Sequence, residues 1–277
     1  MIKQFYSEKL KILKSYNIDN PELDLKLLIK GSVKKKYNFL HEISMSDIDT
    51  SKFNLFFNKR INKEPISKIF RNKEFWDLNF YINKNVLDPR PETEIIVETV
   101  VKYYNDKSKK LYFCDLGTGS GCIIITLLKN YKRSKGIAID ISKNAIKIAK
   151  KNAENHKVLN RLNLKCSNWN NINLKFDIIV SNPPYIKIAD YANLQDEVRK
   201  FDPKLALVGG SSGLEKFLEL AKISNYIMHK NSLFIVEIGF GQKEQVKNIF
   251  KFYNLKLIDI IKDYAKIDRV LVFKKMA

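Results

Sequence analysis

Two kinds of hydrophobic pattern divide the chain. Residues 1 to about 72 carry apolar positions at helical spacing, and Pro21 stands where the first turn of a helix tolerates proline. A cap at Ser46 or Asp47 would begin a further helix through residues 53–61. We therefore predict a small helical bundle for residues 1–72.

Residues 73–90 change to an alternating, aromatic pattern. The segment from Phe75 to Asn83 alternates between apolar and polar positions, which predicts a β-hairpin. Pro89 and Pro91 then end the extended run, and the acids that follow are typical of a helix N-terminus. The pattern predicts a hairpin hinge at 73–90 and a separate domain from residue 91 to residue 277.

Strand and helix patterns alternate from residue 109 onward. This alternation predicts a parallel sheet with helices on both faces, an α/β fold. A long helix is predicted over 211–230, before a strand that begins at Ser232. The strands near 255–261 and 268–274 are joined by a short turn, so one must run antiparallel to its neighbour. We predict a seven-stranded sheet with one reversed strand at the end.

The chain carries a strong positive charge. Fifty Lys and Arg against thirty Asp and Glu give +20 over 277 residues. This balance is compatible with a nucleic-acid partner. The AT-rich codons of Lys, Asn and Ile explain it without one, and we favour that explanation because the charges are spread rather than clustered. No apolar run reaches about 18 residues and no signal-peptide pattern is present, so we expect no membrane span and a cytoplasmic location.

Cysteine and histidine form no recognisable site. The chain has three cysteines, Cys114, Cys122 and Cys166. Their number is odd and no two of them form a CxxC motif, which favours reduced thiols. The three histidines lie far apart, without the spacing of metal ligands. We predict neither a disulfide framework nor a bound metal.

A glycine-rich turn follows the first strand of the predicted sheet. Gly117, Gly119 and Gly121 alternate after Asp115, and a helix begins at once. Open α/β sheets bind ligands at such turns, where glycines let backbone N–H groups approach the ligand. Alone, the turn could equally be structural. Because position 122 is Cys, the spacing departs from G-x-G-x-x-G and disfavours a nicotinamide or flavin dinucleotide.

Three further side chains narrow the class of cofactor. Asp140 closes the second strand, where a carboxylate can accept hydrogen bonds from both ribose hydroxyls; it could instead cap the next helix, although Ser142 suits that role better. Asp115 can face an amino group, directly or through water. Trp169 either packs on an adenine ring or is a half-buried core residue. A nucleoside with a cationic amino-acid tail is S-adenosylmethionine, which we predict as the cofactor.

A second motif, Ser181-Asn182-Pro183-Pro184-Tyr185, ends a later strand. Its prolines fix a rigid turn, and that turn lies where such sheets place their chemistry. A planar NH2 group must be held before its nitrogen can attack a methyl group. The Asn182 side-chain oxygen and the Pro183 carbonyl can each accept one N–H, and Tyr185 can stack on the planar group. The motif therefore predicts a methyltransferase acting on an amide or an exocyclic base amine.

Together these motifs resemble those of S-adenosylmethionine-dependent amino-group methyltransferases. Within them, the chain most closely resembles the peptide chain release factor N5-glutamine methyltransferases, the PrmC/HemK family. That family also has an N-terminal helical bundle and a hairpin hinge. Further segments similar to it are Arg90-Pro91-Glu92-Thr93-Glu94, Glu197-Val198, Ala206 to Gly210, Gly213-Leu214, and Val236 to Gly239 with Gln242. Departures occur at Asp88, Asn168 and Lys266 to Arg269.

The resemblance implies a fold, a reaction and residue roles. The fold would be a Rossmann-like methyltransferase domain over 91–277, with a substrate-recognition domain at 1–72 and a β-hairpin linker at 73–90. The reaction would methylate N5 of the glutamine in the Gly-Gly-Gln motif of class 1 release factors. The implied cofactor contacts are Gly117, Thr118, Gly119, Ser120, Gly121, Asp140, Trp169 and Asn182, and the implied glutamine contacts are Asn182, Pro183, Pro184 and Tyr185.

Two alternatives remain. A DNA adenine or RNA guanine methyltransferase would share the Asn-Pro-Pro-Tyr chemistry, and the charge favours it, but the chain shows no distinct target-recognition insertion. A catalytically silent RNA- or ribosome-binding module would need decayed motifs, and both motifs are intact. We expect a release factor as the partner, no stable nucleic-acid partner, and a monomer.

Overall fold

The protein is described by a computed structural model over residues 2–35, 40–169 and 172–276. Met1 and Ala277, the outer limits of the predicted domains, lie outside the described residues. The chain divides into two compact units. The smaller comprises Met1–Arg71 and Gln195–Phe201, and the larger comprises Asn72–Leu194 and Asp202–Ala277.

The smaller unit is helical, as predicted for its N-terminal part. Its core is built from apolar side chains such as Leu25, Leu28 and Phe53. Its helices are α1 (Ile2–Ser15), α2 (Pro21–Ser32), α3 (Thr50–Ile61) and α4 (Ile66–Phe70), with short 3-10 turns at Leu40–Glu42 and Met45–Asp47.

The start of α3 differs from the sequence prediction. Asp49 is the cap, because its side chain accepts the Lys52 N–H at 3.0 Å. The predicted caps Ser46 and Asp47 lie in the preceding 3-10 turn, where Asp47 closes a capping box with Ser44. That turn uses the Asp47 carboxylate before α3 begins. The other predicted start, Pro21 at the head of α2, is confirmed.

The predicted hairpin is present at the start of the larger unit. Strands β1 (Asn72–Phe75) and β2 (Leu78–Tyr81) pair antiparallel. Trp76 lies in the connecting turn with a φ of 62°, a conformation that non-glycine residues rarely adopt. The Glu94 side chain accepts the Trp76 N–H at 2.7 Å and stabilises this turn.

A seven-stranded sheet forms the centre of the larger unit, which confirms the predicted α/β fold. Helices cover both faces, and a separate hydrophobic cluster lies under each layer. The sheet strands are β3 (Tyr112–Leu116), β4 (Lys135–Asp140), β5 (Leu162–Cys166), β6 (Phe176–Ser181), β9 (Met228–Glu237), β10 (Leu255–Lys262) and β11 (Asp268–Lys275). The helices are α5 (Glu94–Tyr103), α6 (Cys122–Asn130), α7 (Lys143–Asn155), α9 (Glu215–Ile227) and α10 (Lys243–Phe252).

Strand order is β10-β11-β9-β6-β3-β4-β5. The reversed strand is β11, the last in the chain, and it pairs antiparallel with both β9 and β10. It therefore lies one position inside the sheet, and β10 takes the edge. The crossover from β9 through α10 places β10 one strand position away from β9, and β11 returns through the short turn to lie between them.

Two segments were predicted incompletely. The helix predicted over 211–230 begins at Glu215 and ends at Ile227. The strand predicted from Ser232 already begins at Met228. Ile227 and Met228 are fully buried, so an apolar pattern alone suits either element. The segment after the Asn-Pro-Pro-Tyr turn also contains elements not predicted: β7 (Ile186–Lys187) pairs with β8 (Val208–Gly210), and α8 (Asp196–Phe201) lies between them in sequence.

The described residues were also compared with the expectations for membrane spans, metal sites and cysteines. None of their helices is long and apolar enough to span a bilayer. They hold no cluster of three or more His, Cys, Asp or Glu side chains arranged to bind a metal ion. Cys114 and Cys122 are buried free thiols, and Cys166 is an exposed one.

Candidate active site

The glycine turn joins the carboxyl end of β3 to α6. Gly117, Gly119 and Gly121 have φ values of 83°, 55° and 82°, which L-residues rarely adopt. A Cβ on Gly121 would lie 2.9 Å from the Ile125 side chain, whereas a Cβ on Gly119 would meet no atom within 4 Å. Gly121 therefore lets α6 pack closely, and Gly119 leaves open space beside the turn.

Asp140 connects this turn to the next strand. Its Oδ2 accepts the Gly119 N–H at 2.9 Å, and its Oδ1 accepts the Ser142 N–H at 2.8 Å. Ser142 caps α7 by accepting the Ala145 N–H, so the prediction that Ser142 is the cap is confirmed. Burial raises the pKa of Asp140. A carboxylate oxygen has more than one acceptor site, so hydroxyl donors can still be bound.

Asp115 lies beneath the turn and is fully buried. Its Oδ2 accepts the Thr118 hydroxyl at 2.7 Å, while its Oδ1 has no hydrogen-bond partner among the residues that the structure describes. Burial is the main reason that the pKa of this carboxyl is raised to about 7. Leaving a buried acceptor unpaired costs about 1–3 kcal/mol, so an ammonium donor would stabilise this carboxylate.

Trp169 lies opposite the glycine turn. Its ring is partly packed against the hydrophobic core and also lines a cavity beside Gly117. A Cβ on Gly117 would lie 3.8 Å from the Trp169 ring. The two alternatives for Trp169 are therefore compatible: its ring packs partly against the core and also forms part of the cavity lining.

The cavity has an empty volume of about 900 Å³, including the part that is open to solvent. Six predicted residues line it: Gly117, Gly119, Asp140, Trp169, Asn182 and Pro184. The other predicted residues, Asp115, Thr118, Ser120, Gly121, Pro183 and Tyr185, are not among its lining residues. Lining residues that sequence reasoning missed include Asn85, Val86, Leu87, Pro203, Leu205 and Ala206.

These features fit the predicted cofactor. The space beside Gly119 suits a ligand backbone, the Asp140 carboxylate suits ribose hydroxyls, and the Trp169 ring suits an adenine. The unpaired Asp115 oxygen suits the ammonium group of an amino-acid tail.

The Asn-Pro-Pro-Tyr turn begins where β6 ends. The Asn182 Nδ2 donates a hydrogen bond to Thr93 Oγ1 at 2.9 Å. The Thr93 hydroxyl donates to Glu237 Oε2 at 2.7 Å, and the Tyr185 hydroxyl donates to Glu237 Oε1 at 3.3 Å. Burial and the neighbouring Glu237 raise the pKa of Tyr185, so its hydroxyl stays neutral. Sequence reasoning singled out the segments that contain Thr93 and Glu237 but gave neither residue a role.

Two glycines pack closely against the backbone of this turn. A Cβ on Gly209 would collide with the Pro184 carbonyl, and one on Gly213 would collide with the Tyr185 carbonyl. The Gln242 Nε2 donates to that Tyr185 carbonyl at 3.1 Å. Close backbone packing of this kind admits only glycine, so the turn is fixed before any substrate binds.

The sequence comparisons agree with this geometry. Residues 107–263 match the family described as "Methyltransferase domain". The release factor glutamine methyltransferase of Agrobacterium fabrum is 35% identical, over 96% of this chain and 94% of that protein. A bifunctional methyltransferase of Rickettsia bellii is 33% identical over 98% of this chain, which spans about half of that relative's length (54%).

The structural comparison supports the fold. A methyltransferase from Pyrococcus furiosus has a TM-score of 0.54 at 15% identity, covering 83% of this chain and all of that one. The family match extends over more than half of the chain, and the Agrobacterium relative is aligned along almost its whole length. The chain therefore belongs to the release factor glutamine methyltransferase family, and its larger unit has the seven-stranded fold of an S-adenosylmethionine-dependent methyltransferase.

Proposed function

We propose that the protein transfers a methyl group from S-adenosylmethionine to N5 of the glutamine in the Gly-Gly-Gln motif of class 1 peptide chain release factors. The observation that carries this proposal is the orientation of the Asn182 side-chain amide. Its NH2 group is bound by Thr93, so its side-chain oxygen is the atom left to accept an N–H in the cavity that Asn182 lines. The product is N5-methylglutamine.

The cofactor supplies a methyl group on a sulfonium centre, which is already activated for transfer. Asp140 is placed to bind the ribose hydroxyls and Trp169 to flank the adenine. Asp115 lies beneath the turn, where it can face the amino group directly or through water. These residues bind and orient the cofactor, and none of them needs to remove a proton.

The substrate amide needs orientation more than it needs a base. Its nitrogen lone pair is delocalised into the carbonyl, so the two N–H groups must be held for the nitrogen to face the methyl group. The Asn182 side-chain oxygen and the Pro183 carbonyl accept these two N–H groups, and the Tyr185 ring flanks the amide plane. Fixed dipoles of this kind act without reorganisation cost. As the nitrogen–methyl bond forms and the sulfonium–methyl bond breaks, the nitrogen gives up one of its two protons to solvent. The second product is S-adenosylhomocysteine.

The choice of a protein substrate rests on the relatives. Proteins named release factor glutamine methyltransferase match this chain along nearly its full length, including the smaller unit. We assign residues 1–72 to substrate recognition and residues 73–90 to a hinge, and we expect no stable nucleic-acid partner.

Mass spectrometry tests this function. The purified protein is incubated with S-adenosylmethionine and an unmodified class 1 release factor, and any added methyl group is mapped by fragmentation. The matched control is the same factor with the Gly-Gly-Gln glutamine replaced by asparagine. DNA and RNA are tested in parallel. A methyl group on that glutamine, absent from the control, is expected. Methylation of nucleic acid alone would replace this function with the exocyclic-amine alternative.

A further inference from the structure

A chain of hydrogen bonds runs behind the active-site turn and joins three distant parts of the sequence. We propose that Thr93 is a positioning residue, which fixes the orientation of the Asn182 side-chain amide through its own bond to Glu237. The inference rests on the proposed function, because it assigns a cause to the orientation that the reaction needs.

The direction of each hydrogen bond follows from the chemistry of the groups. An ionised Glu237 carboxylate only accepts, so the single hydroxyl proton of Thr93 is donated to it, at 2.7 Å. The Thr93 oxygen can then only accept from Asn182. The Asn182 NH2 is the group that can donate, so this NH2 must face Thr93 and the amide oxygen must face away from it. A flipped amide would place two oxygens together with no proton between them.

Burial makes this constraint strong. Thr93 is 3% exposed and Glu237 is 1% exposed, so water is not available to replace a lost partner. An unsatisfied polar group in such a site costs more than the hydrogen bond itself contributes. The second Glu237 oxygen is held by the Tyr185 hydroxyl at 3.3 Å, which fixes the carboxylate from the other side.

The sequence separation argues that the contact is specific. Thr93 lies in a 3-10 turn at Pro91–Thr93, Asn182 follows β6, and Glu237 ends β9. Only the fold brings these residues together, across separations of 89 and 144 positions. The reaction does not require Thr93 to touch the substrate, so its role is positioning.

Three variants test the role. Thr93→Val keeps the shape and removes the hydroxyl, whereas Thr93→Ser keeps the hydroxyl. Thr99→Val is the matched control, because Thr99 is also buried and its hydroxyl binds the Ile95 carbonyl within α5, away from the turn. We measure kcat and KM for a release factor, the Kd for S-adenosylmethionine, and the melting temperature.

Thr93→Val is expected to lower kcat about 10- to 100-fold, the scale of a misplaced catalytic group, with a cofactor Kd within about twofold of wild type. Thr93→Ser is expected to recover most of that loss, and Thr99→Val to leave kcat unchanged. Equal kcat for Thr93→Val and wild type would overturn the role. A cofactor Kd that rises as much as kcat falls would also overturn it, because Thr93 would then act through the cofactor.

A second measurement needs no substrate. In protein labelled with 15N-asparagine, the Asn182 side-chain amide is assigned from the resonance that Asn182→Ala removes. Its protons are expected to exchange slowly in wild type and in Thr93→Ser, and rapidly in Thr93→Val. Rapid exchange in the wild-type protein would overturn the role even if Thr93→Val did not fold. Slow exchange together with no methylation of any release factor would instead remove the proposed function and leave the positioning intact.

Discussion

The side-chain amide of Asn152 and the backbone of Tyr81 form a reciprocal pair of hydrogen bonds. The Asn152 Nδ2 donates to the Tyr81 carbonyl at 2.9 Å, and its Oδ1 accepts the Tyr81 N–H at 2.8 Å. The same Nδ2 also donates to the Ser120 carbonyl at 2.9 Å. One buried side chain on α7 thus fastens the end of the hairpin to the glycine turn.

Replacing Asn152 by Ala is expected to lower the free energy of unfolding by about 2–4 kcal/mol, because three backbone groups lose a partner at about 1–3 kcal/mol each, offset by some solvent entry. Urea unfolding measures the change. Asn144→Ala, at an exposed position on the same helix, is the control and should change stability by less than about 0.5 kcal/mol. Equal effects for the two variants would contradict the assigned role of Asn152.

Asp140→Ala is expected to weaken cofactor binding. The variant removes the carboxylate that faces the cavity and frees the Gly119 and Ser142 N–H groups. Loss of a charged hydrogen-bond partner costs about 1.5–3 kcal/mol, so the Kd for S-adenosylmethionine should rise about 10- to 100-fold. Isothermal titration calorimetry measures it. Asp106→Ala, which removes an exposed carboxylate elsewhere in the larger unit, should leave the Kd unchanged. A similar rise in both variants would indicate a general charge effect.

Asn182→Ala is expected to act on the rate of methyl transfer. Removing one preorganised polar group typically raises a barrier by about 2.7–4 kcal/mol, which corresponds to a loss of about 100- to 1,000-fold in kcat. The cofactor Kd should change much less, because Asp140 and Trp169 remain. Single-turnover methylation of a release factor measures the rate. Full activity in this variant would exclude the proposed mechanism.

Arg60 holds together a buried ion cluster in the smaller unit. Its guanidinium binds Asp24 and Glu197, each at 2.6 Å, and Arg60 is 4% exposed. Arg60→Met should destabilise this unit by about 3–5 kcal/mol, because two carboxylates lose their cation. Hydrogen exchange of α2 and α3 reports the loss locally. Lys52→Met, which removes an exposed charge from α3, should leave that exchange unchanged, and equal protection in both variants would refute the role of the cluster.

Local motifs explain how much of this site could be predicted from sequence. Gly119 and Asn182 follow two strands of the sheet, and Asp140 ends a third. These three strands are parallel, so their carboxyl ends meet at one edge. Their place on a common cavity was therefore predictable. The Ser142 cap was predictable for a similar reason, since a cap depends on residues a few positions away.

Contacts between distant segments were not predictable in the same way. Thr93 and Glu237 lie 144 positions apart, and no periodicity links a hydroxyl in a 3-10 turn to a carboxylate at a strand end. Leu87 and Leu205 line the cavity from irregular segments, where apolar residues follow no helix or strand pattern. The position of β11 inside the sheet likewise depends on the crossover through α10, which only the fold defines.

The ionisation of Glu237 should couple activity to pH. Burial is the main reason that its pKa is raised to about 7, while its contacts with Thr93, Arg269 and Tyr185 lower the pKa and the charge of Glu92 raises it. A protonated Glu237 can donate to the Thr93 oxygen, so Thr93 can then donate to Asn182 and the amide loses its fixed orientation. The rate of methyl transfer should therefore rise with pH through about 7.

Stability should change in the opposite direction. An unfolded glutamate has a pKa of about 4.3, so the folded protein binds one more proton than the unfolded chain between about pH 4.3 and 7. The stabilisation present below pH 4.3 is lost as the pH rises through this window, by up to about 1.4 kcal/mol per pH unit for each such proton. Asp115, with a pKa raised to about 7, also makes the protein less stable as the pH rises.

Urea unfolding and single-turnover rates are measured between pH 5 and about 8 for wild type and Glu237→Gln. The comparison separates the contribution of Glu237 from that of Asp115. Glu237→Gln should flatten the rate profile and leave only the Asp115 part of the stability profile; unchanged profiles would show that Glu237 does not titrate in this range.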